Sequence, residues 1–479
     1  MVVRFAPSPT GALHAGGART ALFNYLFRVR HGGSLILRIE DTDRERNVAG
    51  SEGQLLTDLR WLGIEFDESD AIGGENSPYR QSARAARHIE AAEKLVECGA
   101  AYRCCCSAER LDEVRRLAQA EGRPPRYDRH CLHTSPEEHS RMLEPDVATV
   151  IRLLTPDDRT LDIPDLFRGI VSFEGKHLDD PILVRSDGSP TTLLAGVVDD
   201  FEMGMTHILR GEEWLASTPY QYLIFEALGA RLPVWGHLSL LLGEDGTKLS
   251  KRTPGLRIHE MREQGILPEA INRYLFGLGR ATLGEDQGWT MESLAEGFDP
   301  SDHRAGGTVF SLAALRAESG RLIRRLSVLE LRQRLEAASP EGIFPPLWDE
   351  QKSNRAVELA AEAAETMVDL GREIERFTLP SDPAGLNWAE TAHAVEVLQA
   401  VKETFQRLES WEEPAINDAI KEVGRASGTK GRDLFVPIRL AVTGAAHGPK
   451  IAAIVALIGR EEFLNRIEAA IKHLLTTQA

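Results

Sequence analysis

The 479-residue chain predicts an α/β front half continued by an all-α back half. The opening stretch alternates strand, glycine-bearing loop, helix and strand, an order that implies a parallel sheet. After about residue 255 the strand signals give way to helical periodicity almost throughout. The length suits two to four domains.

Residues 2–6, Val-Val-Arg-Phe-Ala, read as a strand that Pro7-Ser-Pro-Thr-Gly11 interrupts. A helix is expected over 17–30, and 34–40, Ser-Leu-Ile-Leu-Arg-Ile-Glu, as the next strand. Another helix over 82–97 precedes a cysteine cluster and an irregular piece at 122–127. Strand signals return at 149–153, 182–185 and 196–198, so residues 98–185 read as an insertion into the first fold. Ser327-Val-Leu-Glu330 and Ser135-Pro-Glu-Glu138 have the pattern of helix starts in which hydroxyl and carboxylate each satisfy a backbone N–H. Proline-rich breaks at 339–346 and 379–385 read as linkers.

Composition narrows the function. The chain is 42% hydrophobic and 27% charged, and 56 Lys and Arg against 73 Asp and Glu leave a net charge of −17. That excludes a wholly electrostatic DNA binder, although a local basic surface is compatible with it. No apolar run approaches the roughly 18 residues of a membrane span. The first ten residues carry Arg4 and two prolines in place of a signal peptide's apolar core, so a cytoplasmic location and no membrane partner are expected.

Five cysteines, four of them between Cys98 and Cys106, are too few and too clustered for a disulfide scaffold. Cys104-Cys105-Cys106 is followed after 24 residues by Cys131-Leu132-His133. Three thiolates and an imidazole at Cys104, Cys106, Cys131 and His133 fit tetrahedral structural Zn²⁺, with buried thiols of a degenerate site as the other reading. Cys105 is a substitute ligand, and Cys98, late in a helix, is expected in the core.

The usual phosphate loops are missing: there is no GxxxxGK(S/T), and Gly277-Leu-Gly279 lacks a third glycine and follows a helix. Pro7-Ser-Pro-Thr-Gly-Ala-Leu-His14-Ala-Gly16-Gly17 instead puts a histidine and two glycines where strand gives way to helix. There the backbone can approach a phosphate, the helix N-terminus favours its charge and His14 can donate to an oxygen; a tight turn with a surface histidine is the plainer alternative. Gly246-Thr-Lys248-Leu-Ser250-Lys251-Arg252 is a cationic loop suited to a leaving pyrophosphate, although alone such a run more often means a solvated turn.

Together the two motifs resemble the HIGH and KMSKS signatures of class I aminoacyl-tRNA synthetases. Arg4-Phe-Ala-Pro-Ser-Pro-Thr-Gly11, Gly17-Ala-Arg-Thr-Ala-Leu-Phe-Asn24, Leu37-Arg-Ile-Glu40-Asp-Thr-Asp-Arg44, Val197-Val-Asp-Asp200, Leu209-Arg210-Gly-Glu-Glu-Trp214 and Leu434-Phe-Val-Pro-Ile-Arg439-Leu-Ala-Val-Thr-Gly444 narrow the likeness to glutamyl-tRNA synthetases. The resemblance implies a Rossmann-like parallel-sheet catalytic domain in two halves, 1–97 and 186–254, around an inserted acceptor-binding domain, 98–185. A helical stem-contact domain, 255–325, and two anticodon-binding helical subdomains, 326–378 and 379–479, would follow. It implies ATP-dependent activation of glutamate to the adenylate, then transfer to the 2′-hydroxyl of a tRNA's terminal adenosine by a cytoplasmic monomer. Thr10, His14, Gly16, Gly17, Lys248, Ser250 and Lys251 would hold ATP with Mg²⁺ on its phosphates, His14, Gly17, Lys248 and Lys251 being catalytic. Arg4, Ala6, Ser8, Glu40, Thr192, Gly196 and Arg210 would line the amino-acid pocket. An arginine offers only donors, so it pairs with a side-chain carboxylate and meets the NH₂ of glutamine with a clash. Glu40 suits the substrate ammonium. In some members of the family the acceptor-binding insertion carries zinc at a matching place.

Two positions depart from the family's pattern: Thr192 stands where tyrosine usually follows the Pro-Thr pair, and Gly196 stands where an asparagine is common. Between 421 and 450, Lys421, Arg425, Lys430, Arg432, Arg439 and Lys450 outnumber the acids, as phosphate contact requires, although a solvated helix face has the same composition. The tRNA partner would be the glutamate tRNA, with the glutamine tRNA a second candidate. The alternatives are a paralogue specialised in substrate or tRNA and a non-catalytic tRNA-binding protein.

Overall fold

The structure is a computed structural model that describes every residue except 43–47, 49, 123–125, 136, 138, 139, 141, 143, 145, 146, 250–254, 281–283, 285–287, 340, 341, 381, 389, 390, 392, 478 and 479. Its residues form two compact units: Met1–Glu260 with Ile271–Ser311, and Met261–Ala270 with Leu312–Ala479.

In the first unit β1 (Val2–Phe5) and β2 (Ser34–Leu37) pair in parallel, Val2 beside Ser34 and Phe5 beside Leu37. Parallel strands need a crossover, and α1 (Ala15–His31) supplies it, burying Ala18, Leu22, Phe23 and Leu26. The chain leaves β2 at Arg38 yet stays bonded, the Glu40 N–H donating to the Pro7 carbonyl at 3.0 Å. Then come α2 (Ser51–Trp61), α3 (Ala85–Glu97), β3 (Ala101–Cys104) and α4 (Ala108–Ala120). β4 (Val150–Leu153) joins β3 to β7 (Ile182–Val184) in an antiparallel sheet. β5 (Thr160–Asp165), β6 (Gly169–Glu174), β8 (His207–Gly211) and β9 (Val234–Leu238) form a second sheet in the order β6, β5, β9, β8, parallel except for β6. Thr206 ties the start of β8 to β1, its N–H donating to the Val2 carbonyl at 3.0 Å. This is a Rossmann-like core, and Ile36, Leu95, Leu183, Val197, Ile208 and Trp235 belong to one buried cluster within it.

Two expectations fail. Residues 196–198 are not a strand but the middle of a helix, Thr192–Glu202, in which every residue from Leu194 to Asp200 is buried. A short apolar run reads alike as a core strand or a helix buried all round. Cys98 is exposed rather than core, because α3 ends at Glu97 and the stripe Ala91, Ala92, Leu95 stops one step short of it.

The second unit is helical. Ser327 caps the Val328–Ala338 helix as expected, accepting the Glu330 N–H at 3.2 Å while Glu330 accepts the Ser327 N–H at 3.0 Å. Thr366 and Asp369 form a second such box at the Met367–Thr378 helix. The start expected at Ser135 falls partly on residues 136 and 138, outside the described residues. Both expected linkers leave the helical path after Ala338 and Thr378. Among the described residues no helix is long and apolar enough to cross a membrane.

Candidate active site

A cavity of about 740 Å³ opens at the carboxyl ends of β1 and β8, where ligands of such sheets bind. Its lining includes Arg4, Ala6, Ser8, Thr10, His14, Gly16, Gly17, Glu40, Thr192, Gly196, Arg210 and Lys248, twelve of the residues expected from sequence. Ser250 and Lys251 lie outside the described residues.

At one end stands the N-terminus of α1. His14 is its cap, Nδ1 accepting the N–H of Gly16 at 3.1 Å and of Gly17 at 3.2 Å. Nδ1 is therefore the acceptor and the ring proton sits on Nε2. A Cβ on Gly16 would lie 3.1 Å from the ring, tight enough that the imidazole would have to shift by a few tenths of an ångström. Lys248 stands exposed on a hairpin closed by the Gly243 N–H on the Thr247 carbonyl at 2.8 Å. The chain beyond the lysine loop returns to α1, the Ala15 N–H donating to Leu256 and the Ile258 N–H to Leu13, each at 2.9 Å. The segment that follows the lysine motif is thus paired by backbone to the start of α1.

Charged groups fill the other end. Asp200 accepts from Arg4 Nε at 3.0 Å and from Arg38 at 2.7 Å, and Arg38 also holds Glu40 at 3.1 Å. Burial alone would raise the Asp200 carboxyl, but Arg38 and Arg4 outweigh it and hold the group below the usual carboxylate range. Burial does push Glu40 upward, against the pull of Arg38 and Arg4. The neighbouring Asp199 binds Arg84 at 2.6 Å and His88 at 2.8 Å, fastening the Thr192–Glu202 helix to α3 and to the 3₁₀ turn that precedes it. Thr192, Gly196 and Asp200, four residues apart, share the helix face on the cavity, and nothing lies within 4 Å of a Cβ built on Gly196.

Arg210 differs from these. It is 7% exposed, and its bonds go to neutral acceptors: His237 Nε2 at 3.1 Å, Thr218 Oγ1 at 2.9 Å and the Trp214 carbonyl at 3.3 Å. Among the described residues no carboxylate forms an ion pair with it. Burial first, then the Arg4 charge, pushes it down to about 9, still charged at neutral pH. Sequence reasoning missed Arg38, Asp165 and His237. Arg38 lay inside a quoted motif, whereas Asp165 and His237 gave no local signal. Two other motif residues are structural: Arg19 bonds the carbonyls of Ser239 and Leu278, each at 2.9 Å, and Asn24 bonds that of Leu209 at 3.1 Å.

Away from this cavity, the Sγ atoms of Cys104, Cys106 and Cys131 lie within 4.8 Å of one another. His133 does not join them; the group's fourth member is the Tyr127 phenol, 3.3 Å from Cys104 Sγ and 3.2 Å from Cys106 Sγ. His133 ends the short 3₁₀ turn His130–Leu132 and is exposed. Hydrogen bonds from Cys131, Tyr127 and Arg152 draw the Cys104 thiol down toward the thiolate. In the helical unit Lys421, Arg425, Lys430, Arg432 and Lys450 are exposed, while Arg439 is half-buried and donates to the Pro449 carbonyl.

Residues 1–317 match the family described as tRNA synthetases class I (E and Q), catalytic domain, and residues 329–471 match the anticodon binding domain. The glutamate–tRNA ligase of Carboxydothermus hydrogenoformans is 39% identical over 475 residues, covering 97% of this chain and 98% of that protein. That of Lysinibacillus sphaericus is 39% identical over 477 residues, with coverage of 97% and 98%. A glutamate tRNA ligase from Elizabethkingia meningosepticum, crystallised in complex with its amino acid, superposes with a TM-score of 0.83 at 32% identity, covering 99% of each chain. The glutamate-tRNA synthetase of Elizabethkingia anophelis gives 0.82 at 31%, over 98% and 99%. On full-length likeness of sequence and fold alike, the chain belongs to the glutamate–tRNA ligases, within the class I aminoacyl-tRNA synthetases.

Proposed function

We propose that this cavity performs the family's ATP-dependent ligation of glutamate to tRNA, with the glutamate side chain on Arg210 and the ATP phosphates at the start of α1. The observation that carries the reading is Arg210, a buried cation with neutral partners only, in a cavity whose far end is a helix N-terminus. A substrate carboxylate completes the charge pair there, and Glu40 receives the ammonium group. The α-carboxylate then attacks the α-phosphorus of ATP and pyrophosphate leaves. His14 Nε2–H and the α1 N–H groups donate to phosphate oxygens, while Lys248 and Lys251 meet the charge that develops on the leaving group. Thr10, His14, Gly16, Gly17 and Lys248 supply donors and no carboxylate, which fits Mg²⁺ entering on the nucleotide. Bound there, the metal neutralises phosphate charge. The 2′-hydroxyl of the tRNA's terminal adenosine next attacks the acyl carbon of the adenylate, forming the ester and releasing AMP.

Arg210→Gln tests the assignment by exchanging a cation for an amide. Pyrophosphate exchange with glutamate, measured with tRNA present, should fall by about 2–5 kcal/mol in kcat/KM, while exchange with glutamine changes far less. Equal loss for the two amino acids would assign Arg210 to some other group.

Zinc is the second proposal, held by Cys104, Cys106 and Cys131 with Tyr127 in the fourth position. A cluster of three soft thiol ligands suits Zn²⁺, and the metal would cross-link β3 to the turn at Cys131. Protein purified without chelator should contain about one equivalent. Absence of metal together with normal charging would show a vestigial site. The exposed bases between Lys421 and Lys450 are proposed to contact the anticodon arm's phosphates.

A further inference from the structure

Asp165 ends β5, His237 lies in β9 and Arg210 in β8, three neighbouring strands. The register sets Arg210 beside His237 and Asp165 beside Trp235, two residues before His237, so the Asp165 carboxylate reaches His237 on the diagonal. His237 Nδ1 stands 2.5 Å from Asp165 Oδ2, while Asp165 Oδ1 accepts the N–H of Phe167 at 2.9 Å and of His237 at 3.3 Å. An ionised carboxylate only accepts, so Nδ1 carries the ring proton and Nε2 presents its lone pair to Arg210 Nε–H, 3.1 Å away. Thr218 Oγ1 fixes the same edge, 2.9 Å from Arg210 Nη2 and 3.1 Å from His237 Nε2. Nη1 has no partner among the described residues.

We propose that Asp165 and His237 are positioning residues for Arg210: the carboxylate sets the imidazole tautomer, and the neutral imidazole holds the Nε edge so that Nη1 faces the substrate's acidic side chain. This rests on the reading of Arg210 given above. A carboxylate bonded directly to Arg210 would neutralise it. Placing the negative charge one ring away fixes the guanidinium and leaves its charge for the substrate. Burial holds His237 below its ordinary range, which keeps the ring neutral as this role needs.

Asp165→Asn, His237→Leu and His237→Gln are compared in pyrophosphate exchange with tRNA present, each with its melting temperature. In Asp165→Asn the backbone N–H groups of Phe167 and His237 claim the amide oxygen and the NH₂ turns to Nδ1. The proton then moves to Nε2, donor against donor with Arg210. The glutamate KM should rise about tenfold in Asp165→Asn and in His237→Leu while the ATP KM stays within twofold. His237→Gln, whose amide oxygen reaches the Nε2 position, should recover most of the loss. A glutamate KM within twofold of wild type in both Asp165→Asn and His237→Leu, or equal rises in the two KM values, overturns the proposal. If Arg210→Gln still loses glutamate selectively in that case, the reading of Arg210 stands and only the relay fails.

Discussion

Arg210 in the α/β unit and Arg466 in the helical unit are both buried, at 7% and 3% exposure, and they are held in opposite ways. Arg466 spends every nitrogen on its own fold: Nε on Glu462 at 2.6 Å, Nη1 on the Val442 and Arg376 carbonyls at 2.6 and 3.1 Å, and Nη2 on the Phe377 carbonyl at 3.1 Å. It seals the last turns of two helices, where carbonyls lack partners. Arg210 is anchored through Nε and Nη2 by neutral groups, lines the cavity, and has no partner on Nη1 among the described residues. Burial of a cation therefore says little by itself; the charge and number of its partners separate a structural arginine from one arranged for an anionic ligand.

Removing the structural arginine should produce the largest effect and leave the chemistry alone. Arg466→Met strips a donor from three carbonyls and should lower the unfolding free energy of the helical unit by about 3 kcal/mol in urea, with exchange per folded molecule unchanged. An unaltered urea midpoint would erase the contrast. On the catalytic side, Lys248→Ala and Lys251→Ala should each slow exchange about a hundredfold, since each removes one donor to transition-state charge, with tRNA binding nearly constant. Exchange at the wild-type rate in the double variant would break the assignment of the lysine loop. The smallest effect belongs to Thr192. Open space beside Gly196 on the same helix face leaves room for the ring that Thr192→Tyr introduces. A new hydroxyl contact to glutamate would be worth about 0.5–1.5 kcal/mol, lowering the glutamate KM a few-fold to tenfold. An unchanged KM would mean that the pocket already compensates at this position.

Much of the site was legible because its residues sit in short runs with a local reason to be there. His14, Gly16 and Gly17 read as a phosphate-binding helix start because the cap, the close approach and the helix end occupy four consecutive positions. The same locality misled at 196–198, where Val-Val could equally line a strand or a buried helix, and at Cys98, which caps the helix end and is exposed. His133 entered the ligand set from the Cys-Leu-His spacing alone, whereas Tyr127, which the structure sets against the sulfurs, carried no such local signal. Asp165 and His237 stayed invisible for a different reason. They join Arg210 only through the pairing of β5, β9 and β8, and sheet register is long-range information that no local pattern contains.

Pyrophosphate exchange by the wild-type chain across a panel of amino acids, with and without purified glutamate tRNA, tests the central claim most directly. A guanidinium awaiting a side-chain carboxylate predicts exchange with glutamate and at least a hundredfold less, roughly 2.7 kcal/mol, with glutamine, which meets Arg210 with an uncharged amide. Comparable exchange with glutamine, or activity only with an amino acid that lacks a side-chain carboxylate, would contradict it.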